Sequence, residues 1–399
     1  MKCPKILHLD LDAFFCSVEE LINPSLIGTA FAVGGAYDGR GVITSASYAA
    51  RLFGVRSAMP TGKALALCPH LKLVHGKHKR YSEYSDEVMA VLEDMSPLVQ
   101  QVSVDEAFID VSDLPQPIIS IAQMIQSRVD HKTNLSCSIG AATSKLVAKV
   151  ANDFGKSKVK TGKAPHAITV VECGKEAEFL APLDVQAIWG IGPKSAARLR
   201  ALGLKTVGHL AELSKEELKA FFGSNADFFY NSARGIDTSP VRSSSIFKSV
   251  SNETTFGKDK TDEKEILSSL RSLSDKVGYR LRQKNLAGTV IQLKLRYSNF
   301  DTISRQVMVN QPTNLDNEIF ETGKKLFLEN WNTTCPVRLI GIGVHNLTKP
   351  FTQLSLLDNL QPKKQELAKA VDHLKDRYGR DIIKRASSLQ NPSDRQDED

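Results

Sequence analysis

The stretch Val102-Ser103-Val104-Asp105-Glu106-Ala107-Phe108-Ile109-Asp110 places two adjacent carboxylates between two apolar runs. The runs, residues 98–102 and 107–111, are typical of short strands, in which acidic side chains are rare. Asp105 and Glu106 are therefore predicted at a hairpin turn on the rim of a sheet. An adjacent acidic pair is commonly a solvated turn, but clustered carboxylates also bind a hard divalent cation such as Mg²⁺.

The strand-like run of residues 6–12 turns acidic at its end and supplies a third carboxylate. Asp10 is predicted to lie on a strand beside the hairpin and to face its two acidic residues. Period-two alternation puts Asp12 on the same face, so the pattern does not choose between Asp10 and Asp12. With the backbone carbonyl of Leu11 as a further ligand, this oxygen-rich set would suit two Mg²⁺ ions.

Length and composition limit the class of protein. A chain of 399 residues predicts two to four domains, and 41% hydrophobic with 24% charged residues is typical of a soluble globular protein. The net charge of +7 favours a polyanionic partner. No apolar run approaches the roughly 18 residues of a membrane span, and the first run is too short for a signal peptide.

The six cysteines are scattered along the chain without a Cys-x-x-Cys spacing. This distribution argues against a zinc site and against a disulfide framework. A reducing cytoplasm is the compartment that it favours.

Tyr48 and Arg51 stand three residues apart among small side chains, so on a helix they would share a face. A guanidinium fork beside a phenol suits a phosphate chain. An ordinary amphipathic helix would give the same pattern.

Three blocks, residues 10–15, 45–55 and 103–108, occur in this order. Together they resemble the signature blocks of Y-family translesion DNA polymerases, most of all those of the DinB branch. The resemblance implies an α+β multidomain fold, a right-hand polymerase. Its expected parts are a palm (1–12 and 76–166), small fingers (13–75), a helical thumb (167–235), a linker (236–248), a ferredoxin-like little finger (249–350) and a C-terminal segment (351–399).

The resemblance also implies roles for single residues. The residues implied to bind two Mg²⁺ ions are Asp10, Asp105, Glu106 and, through its carbonyl, Leu11. Glu106 would complete the catalytic metal site beside the primer 3′-hydroxyl. The residues implied to grip the triphosphate of the incoming dNTP are Tyr48, Arg51 and Lys156.

Two adjacent aromatic residues match the sugar end of the substrate site. Phe15 matches the steric gate of the family, the ring that stacks under the sugar and clashes with a ribose 2′-hydroxyl. Its neighbour Phe14 is expected to pack into the core behind the substrate. The small residues Val42, Thr44 and Ala58 match positions that roof the nascent base pair, as an open, lesion-tolerant pocket would need.

Residues 143–152 resemble the family helix that leads to a triphosphate-binding lysine, seven residues beyond Lys149. That position is Lys156 here. Many relatives continue with Pro-Asn-Gly, whereas this chain is expected to form a longer and more basic loop over residues 156–163. Lys158 is therefore a rival for the role.

Residues 188–199 predict a helix, a Gly-x-Gly hairpin and a second helix, with Pro193 at the first helical position and Gly203 as the stop. Hairpin glycines let backbone N–H groups approach a phosphate at a helix N-terminus. This pattern resembles the helix-hairpin-helix thumb of the family, although a plain helical hairpin would look similar. The DNA-binding residues it implies are Gly190, Gly192 and Lys194, and such contacts carry no sequence preference.

Residues 249–350 follow the order β-α-β-β-α-β of a ferredoxin-like split unit, which matches the little finger of the family. Residues 241–350 contain 17 Lys and Arg against 11 Asp and Glu, so this segment alone has a net charge of +6. A basic sheet face suits duplex phosphates, with an affinity that falls as salt rises.

The segment Gln353-Leu354-Ser355-Leu356-Leu357 resembles the peptide with which bacterial polymerases bind the sliding clamp, with Leu357 in place of the commoner Phe. An exposed apolar anchor just outside a domain suits a docking peptide, although a strand-end tail is the alternative. The contacts it implies are made by Gln353, Leu354, Leu356 and Leu357. Residues 365–386 predict a charged amphipathic helix, and residues 387–399 a disordered tail.

The preferred interpretation is a monomeric, distributive and low-fidelity DNA polymerase that adds dNTPs to a primer 3′ end with two Mg²⁺ ions. One alternative is an inactive, polymerase-like adaptor that acts through the clamp. Such relatives lose the metal carboxylates, and all three are present here. The other is a different two-metal palm enzyme such as a nucleotidyl cyclase, against which the hairpin motif and the basic C-terminal domain count.

Overall fold

The computed structural model describes residues 3–35, 40–159, 162–243, 247–350, 360–379 and 382–383. The chain divides into two compact units, residues 1–245 and residues 246–399. None of the helices within the described ranges combines the length and the apolar character needed to span a membrane.

The elements are numbered in chain order. The strands of the first unit are β1 (Ile6–Leu11), β2 (Phe31–Gly34), β3 (Ile43–Ala46), β4 (Lys72–Val74), β5 (Val99–Gln101), β6 (Glu106–Asp110), β7 (Cys137–Ala142) and β8 (Ile168–Val170). Its α-helices are α1 (Phe14–Ile22), α2 (Tyr48–Leu52), α3 (Thr61–Leu67), α4 (His78–Glu93), α5 (Ile118–Thr133), α6 (Lys145–Lys158), α7 (Glu176–Leu180), α8 (Pro193–Ala201), α9 (Val207–Glu212), α10 (Lys215–Phe222) and α11 (Ala226–Ala233). The second unit contains β9 (Ser249–Lys260), α12 (Glu263–Gln283), β10 (Ala287–Tyr297), β11 (Thr302–Thr313), α13 (Asp316–Asn330), β12 (Val337–Thr348) and α14 (Leu360–Tyr378).

The sheet that carries the acidic residues has the strand order β5-β6-β1-β7-β8. β1 runs antiparallel between β6 and β7, and its register pairs Asp10 with Glu106. The predicted hairpin is confirmed, because β5 and β6 flank the acidic turn and the Leu11 amide donates to the Asp105 carbonyl at 2.9 Å. β8 pairs with β7, so the sheet continues beyond residue 166, at which the prediction ended the palm.

The alternation of side chains along β1 separates its two faces. Leu7, Leu9 and Leu11 enter a core shared with α1, α4 and α5. His8 and Asp10 point to the opposite face, where α6 supplies their contacts. β1 therefore has one apolar face and one face that carries polar side chains.

Gly140 of β7 decides how closely α6 approaches the sheet. A Cβ atom at this position would lie 1.9 Å from the Ala148 carbonyl oxygen of α6 and 2.4 Å from the Asn152 amide nitrogen. Any side chain here would push the helix away from the strand. The close approach lets α6 present Lys149, Asn152 and Lys156 to the polar face of β1.

A small sheet of order β3-β2-β4 and a separate apolar cluster form the region predicted as fingers. The Ser47 hydroxyl caps α2 by accepting from the Ala50 amide at 3.2 Å, and it donates to the Thr29 carbonyl. The cap places Tyr48 at the start of a short helix, as the spacing of Tyr48 and Arg51 required.

The hairpin of the thumb region is partly as predicted. α8 begins at Pro193 and ends before Gly203, whose φ of +86° confirms it as the stop. The helix expected before the hairpin is only a 3₁₀ turn, Val185–Ala187. Gly190 has a φ of +98°, a conformation that L residues rarely adopt, so the hairpin needs glycine there.

The second unit confirms the β-α-β-β-α-β order, with an antiparallel sheet of order β11-β10-β12-β9 and helices α12 and α13 packed on it. The helix predicted over residues 365–386 begins earlier, at Leu360, and ends at Tyr378. Its anchor is Arg282, which lies 2.6 Å from carboxylate oxygens of both Asp316 and Asp372. Because Arg282 belongs to α12 and Asp372 to α14, their ion pair holds α14 against α12.

The cysteine pattern misled the prediction. Cys3 and Cys173 are joined by a disulfide across 170 residues, against the expectation drawn from the scattered spacing. Local spacing could not reveal this pair, because folding brings the two cysteines together from opposite ends of the first unit. Cys16, Cys68, Cys137 and Cys335 are free.

A thiol reagent should react with four cysteines of the unfolded protein when no reductant is present. After reduction it should react with all six cysteines. Closing a loop of this length restricts the unfolded chain by about 5 kcal/mol in the chain-entropy model. Cys173→Ser should therefore lower the midpoint of thermal unfolding in the absence of reductant. Cys335→Ser, which removes a free thiol, is the control and should leave it unchanged. Six reactive thiols without reductant would contradict the pairing.

Candidate active site

A cavity of about 230 Å³ opens where β1 ends and the acidic turn begins. The predicted site residues that line it are Asp10, Leu11, Phe14, Phe15, Arg51, Asp105 and Lys156. These residues come from distant parts of the sequence, so the fold brings together most of the predicted site. Glu106 and Tyr48 lie beside this group, as described below.

Asp10 is the most strongly perturbed carboxylate of the cavity. Burial, with Glu106 and Asp105 adding to it, raises the pKa of Asp10 to about 7, although Lys156 acts in the opposite direction. The Lys156 ammonium lies 2.5 Å from the Asp10 carboxylate. Burial opposes the charge of Lys156 too, but Asp10 and Asp12 outweigh it and raise the pKa of Lys156. Burial is thus the main reason that Asp10 resists ionisation, and the Lys156 contact favours its charged form.

Hydrogen bonds distinguish Asp10 from Asp12. Asp12 is fully buried and accepts from the Ser136 hydroxyl at 2.8 Å, the Ser138 hydroxyl at 2.9 Å and the His166 amide at 3.1 Å. Asp10 keeps 16% of its side chain exposed and lines the cavity. Asp12 is therefore a structural carboxylate, and Asp10 is the one available to a ligand.

Glu106 is the first residue of β6 and lies between two nitrogen groups. The Lys149 ammonium is 3.1 Å from both carboxylate oxygens, and His8 Nε2 is 3.7 Å from Oε2. His8 and Lys149 hold the pKa of Glu106 down at about 2, against its burial. Burial lowers the pKa of His8, although Glu106 opposes this. A charged carboxylate therefore faces a neutral imidazole at neutral pH.

Ser103 organises the turn that carries the acidic pair. Its hydroxyl accepts from the Glu106 amide at 3.0 Å and donates to the Asp105 carboxylate. The Val102 amide closes the turn by donating to the Glu106 carbonyl at 2.9 Å. The backbone positions of both acids are thus set locally, before any ligand binds.

The donor set of the cavity suits a hard divalent cation. Carboxylate and carbonyl oxygens are the ligands that Mg²⁺ prefers. In the part of the chain that the structure describes, no group of three or more His, Cys, Asp or Glu side chains is arranged to hold a metal ion. Lys156 and Lys149 contact Asp10 and Glu106 instead. A cation that bound Asp10 would displace the Lys156 contact.

The structure separates the two rival lysines. α6 continues to Lys158, so the basic loop predicted over residues 156–163 is helical in its first three residues, and that part of the prediction is wrong. Lys156 reaches the cavity, whereas the Lys158 ammonium lies 4.3 Å from the centre of the Phe154 ring. Of these two lysines, Lys156 is therefore the one that lines the cavity.

The two aromatic residues differ as expected. Both residues line the cavity, but Phe14 is buried in the core, whereas Phe15 is half-buried. The Phe15 ring stacks on Tyr81 with centroids 4.2 Å apart and planes 15° apart. The Tyr81 hydroxyl donates to the buried Glu19 carboxylate at 2.7 Å. Phe15 thus rests on a ring that is itself held in place.

Tyr48 and Arg51 share one face of α2, with the guanidinium 4.5 Å from the centre of the phenol ring. Arg51 Nε donates to the Ala46 carbonyl at 3.0 Å, which directs the fork. The Tyr48 hydroxyl is buried and finds no hydrogen-bond partner among the described residues. A buried polar group of this kind suggests a missing ligand. Burial and the Asp12 charge raise the pKa of Tyr48, so its hydroxyl remains a donor.

A second cavity of about 390 Å³ lies between α6 and the thumb hairpin. Gly190 and Gly192 line it together with Lys149 of α6. Lys194 is exposed at the start of α8. The predicted clamp contacts Gln353, Leu354, Leu356 and Leu357 lie outside the described residues.

Sequence reasoning missed the partners that orient the site: His8, Glu19, Tyr81, Lys149 and Asn152. Only His8 left a signal, since a polar residue within an apolar strand is unusual. The others stand at ordinary helical positions, and their role depends on which element packs against them.

Known proteins match almost the whole chain. The impB/mucB/samB family model matches residues 9–153, its C-terminal domain model residues 247–356, and the IMS family HHH motif residues 174–204. DNA polymerase IV of Dehalococcoides mccartyi (strain CBDB1) is 37% identical over 385 residues, which cover 95% of this chain and 96% of that protein. The chain belongs to the Y family of DNA polymerases. DNA polymerase IV 1 of Bacillus subtilis (strain 168) is 33% identical, and the matched segment covers 96% of this chain and 93% of that protein.

Solved Y-family structures share the fold. A Y-family DNA polymerase chimera of Dbh and Dpo4 superposes with a TM-score of 0.77 at 24% identity, covering 87% of this chain and all of that one. The insertion ternary complex of Dbh DNA polymerase gives 0.63 at the same identity and coverage. The predicted right-hand fold and the enzyme class, a translesion DNA polymerase of the DinB branch, are confirmed. Membership of this family implies a divalent metal requirement.

Proposed function

We propose that this Y-family enzyme extends a primer in the cavity at the end of β1, with two Mg²⁺ ions held by Asp10, Asp105, Glu106 and the Leu11 carbonyl. The observation that carries the proposal is the convergence of Asp10, Asp105, Lys156, Arg51 and Phe15 on one cavity. Bound there, such ions lower the pKa of the attacking primer hydroxyl and stabilise the leaving pyrophosphate.

The basic side chains bind the triphosphate of the incoming dNTP. Once a cation takes over Asp10, the Lys156 ammonium is free to contact phosphate oxygens. The Arg51 fork offers two parallel donors, and the unpaired Tyr48 hydroxyl offers a third. These donors are fixed before the substrate arrives, which lowers the cost of stabilising the charge that develops in the reaction.

Phe15 selects the sugar. Its ring lies at the cavity wall with Tyr81 directly behind it, so it cannot retreat from a ribose 2′-hydroxyl. Overlap with that hydroxyl would exclude ribonucleotides, whereas a deoxyribose would stack on the ring.

The remaining contacts hold the DNA. Backbone amides at Gly190 and Gly192, with Lys194, bind phosphates of the duplex, and the basic sheet of the second unit binds further phosphates. These contacts ignore sequence, as a polymerase requires. We also propose that Gln353, Leu354, Leu356 and Leu357 dock on the sliding clamp, and that the enzyme works as a monomer in the cytoplasm.

Primer extension by the purified protein in Mg²⁺ tests the proposed function. The wild type should extend a primed template, and Asp105→Ala should lose about 10³-fold or more in rate, since metal assistance is worth several kcal/mol. Asp94→Ala, at the exposed end of α4, is the matched control and should extend normally. Absence of extension by the wild type would support the adaptor alternative. Full activity of Asp105→Ala would exclude the proposed metal site.

Phe15→Val should admit ribonucleotides, because it removes the ring that meets the 2′-hydroxyl. We expect the ratio of kcat/KM for dNTP over rNTP to fall at least about tenfold, the scale on which pocket sterics discriminate. Val18→Ala is the control: Val18 lies on the same helix, is buried in the core and does not line the cavity, so the change should lower thermal stability but leave sugar selection unchanged. Unaltered discrimination in Phe15→Val would remove this residue from the role.

A further inference from the structure

His8 is a fully buried polar residue in β1 to which the proposed mechanism assigns no task. Polar groups buried this deeply are normally hydrogen-bonded. One side of the ring is satisfied, because the Asn152 amide nitrogen lies 3.0 Å from Nδ1. The same nitrogen is 3.1 Å from the carbonyl oxygens of His8 and Ser138, and these two acceptors require the NH₂ end of the amide to face His8.

This contact determines the tautomer of the ring. An amide NH₂ group can only donate, so Nδ1 must accept and the proton of the neutral imidazole must sit on Nε2. The Nε2–H group is buried and has no hydrogen-bond partner among the described residues. It points at Glu106, whose Oε2 is 3.7 Å away, just beyond hydrogen-bonding distance.

The environment of Glu106 explains why this gap is open. Lys149 binds both carboxylate oxygens at 3.1 Å and so draws the carboxylate to its own side. The Phe108 ring packs against His8 with centroids 4.7 Å apart, which holds the imidazole plane in place. A small movement of Glu106 toward His8 would bring Oε2 within hydrogen-bonding distance of Nε2.

We propose that His8 is a positioning residue for Glu106: its Nε2–H donates to the Glu106 carboxylate in the reacting complex, and Asn152 sets the tautomer that makes this possible. The inference rests on the proposed role of Glu106 at the primer terminus. Hydrogen bonds in active sites are often long in the free enzyme and tighten when the reacting complex forms. A carboxylate held from behind in this way keeps one orientation toward the primer hydroxyl.

Substitutions that differ only in reach test the proposal. Gln places its amide nitrogen near the position of Nε2, whereas Asn reaches only the position of Nδ1, and Leu has no donor. His8→Leu and His8→Asn should lower the single-turnover rate of nucleotide addition by about 10- to 100-fold, the usual effect of losing such an outer partner. The KM for dNTP should change less than about twofold, since the triphosphate contacts are untouched. His8→Gln should recover most of the rate.

Two further comparisons distinguish positioning from folding. Leu9→Ala weakens the same strand from its opposite face, so it should lower thermal stability without the same loss of rate. In a Glu106→Ala background, His8→Leu should cost little more, because both changes act through one carboxylate. The proposal is overturned if His8→Gln is no better than His8→Asn, or if His8→Leu costs as much without Glu106 as with it. If His8→Leu does not fold, the pair His8→Gln and His8→Asn still decides.

The outcome is separable from that of the proposed function. If Asp105→Ala abolishes extension while every His8 variant keeps the wild-type rate, only this inference fails. If Asp105→Ala extends normally, the metal site itself is misassigned and His8 has no catalytic carboxylate to position.

Discussion

The pairing of β1 with β6 brings like charges together at one end of these two strands, and the surrounding residues compensate for their repulsion. The register sets Asp10 opposite Glu106, and the turn adds Asp105 beside them. Such an arrangement is stable only with positive charge nearby. α6 supplies it through Lys149 and Lys156, and it can do so because Gly140 lets the helix approach the sheet closely. Under the proposed function, Lys156 is then in place to contact a phosphate once a cation binds Asp10.

The polar residues at the site differ in how completely their hydrogen-bonding groups are satisfied. Asp12, two residues after Asp10, is consumed by hydrogen bonds from Ser136, Ser138 and the His166 amide, which tie β1 to β7 and the segment before β8. The buried Tyr48 hydroxyl beside the cavity, in contrast, has no hydrogen-bond partner among the described residues. Unsatisfied groups collect where ligands are expected, and satisfied groups support them from behind.

The sequence predicted features that depend on local pattern and missed those that depend on packing. The hairpin around Asp105, the element order of residues 249–350 and the stop at Gly203 follow from alternation, helical periodicity and glycine conformation, so the sequence alone predicts them. The choices between Asp10 and Asp12 and between Lys156 and Lys158 needed the positions of β7 and α6. The Cys3–Cys173 disulfide joins residues with no common pattern. The comparison of residues 156–163 with a loop of the relatives predicts a loop from Lys156 onward, and so it does not show that α6 continues to Lys158.

Anomalous diffraction from crystals grown with primer–template, a non-hydrolysable dNTP and Mn²⁺ tests the central claim most directly. The account predicts two anomalous peaks beside the end of β1, about 2.1 Å from oxygens of Asp10, Asp105 and the Leu11 carbonyl, as for a small hard cation. It also predicts that Lys156 has left Asp10 for the triphosphate. Peaks elsewhere, or an intact Lys156–Asp10 contact with no cation between β1 and the acidic turn, would contradict it.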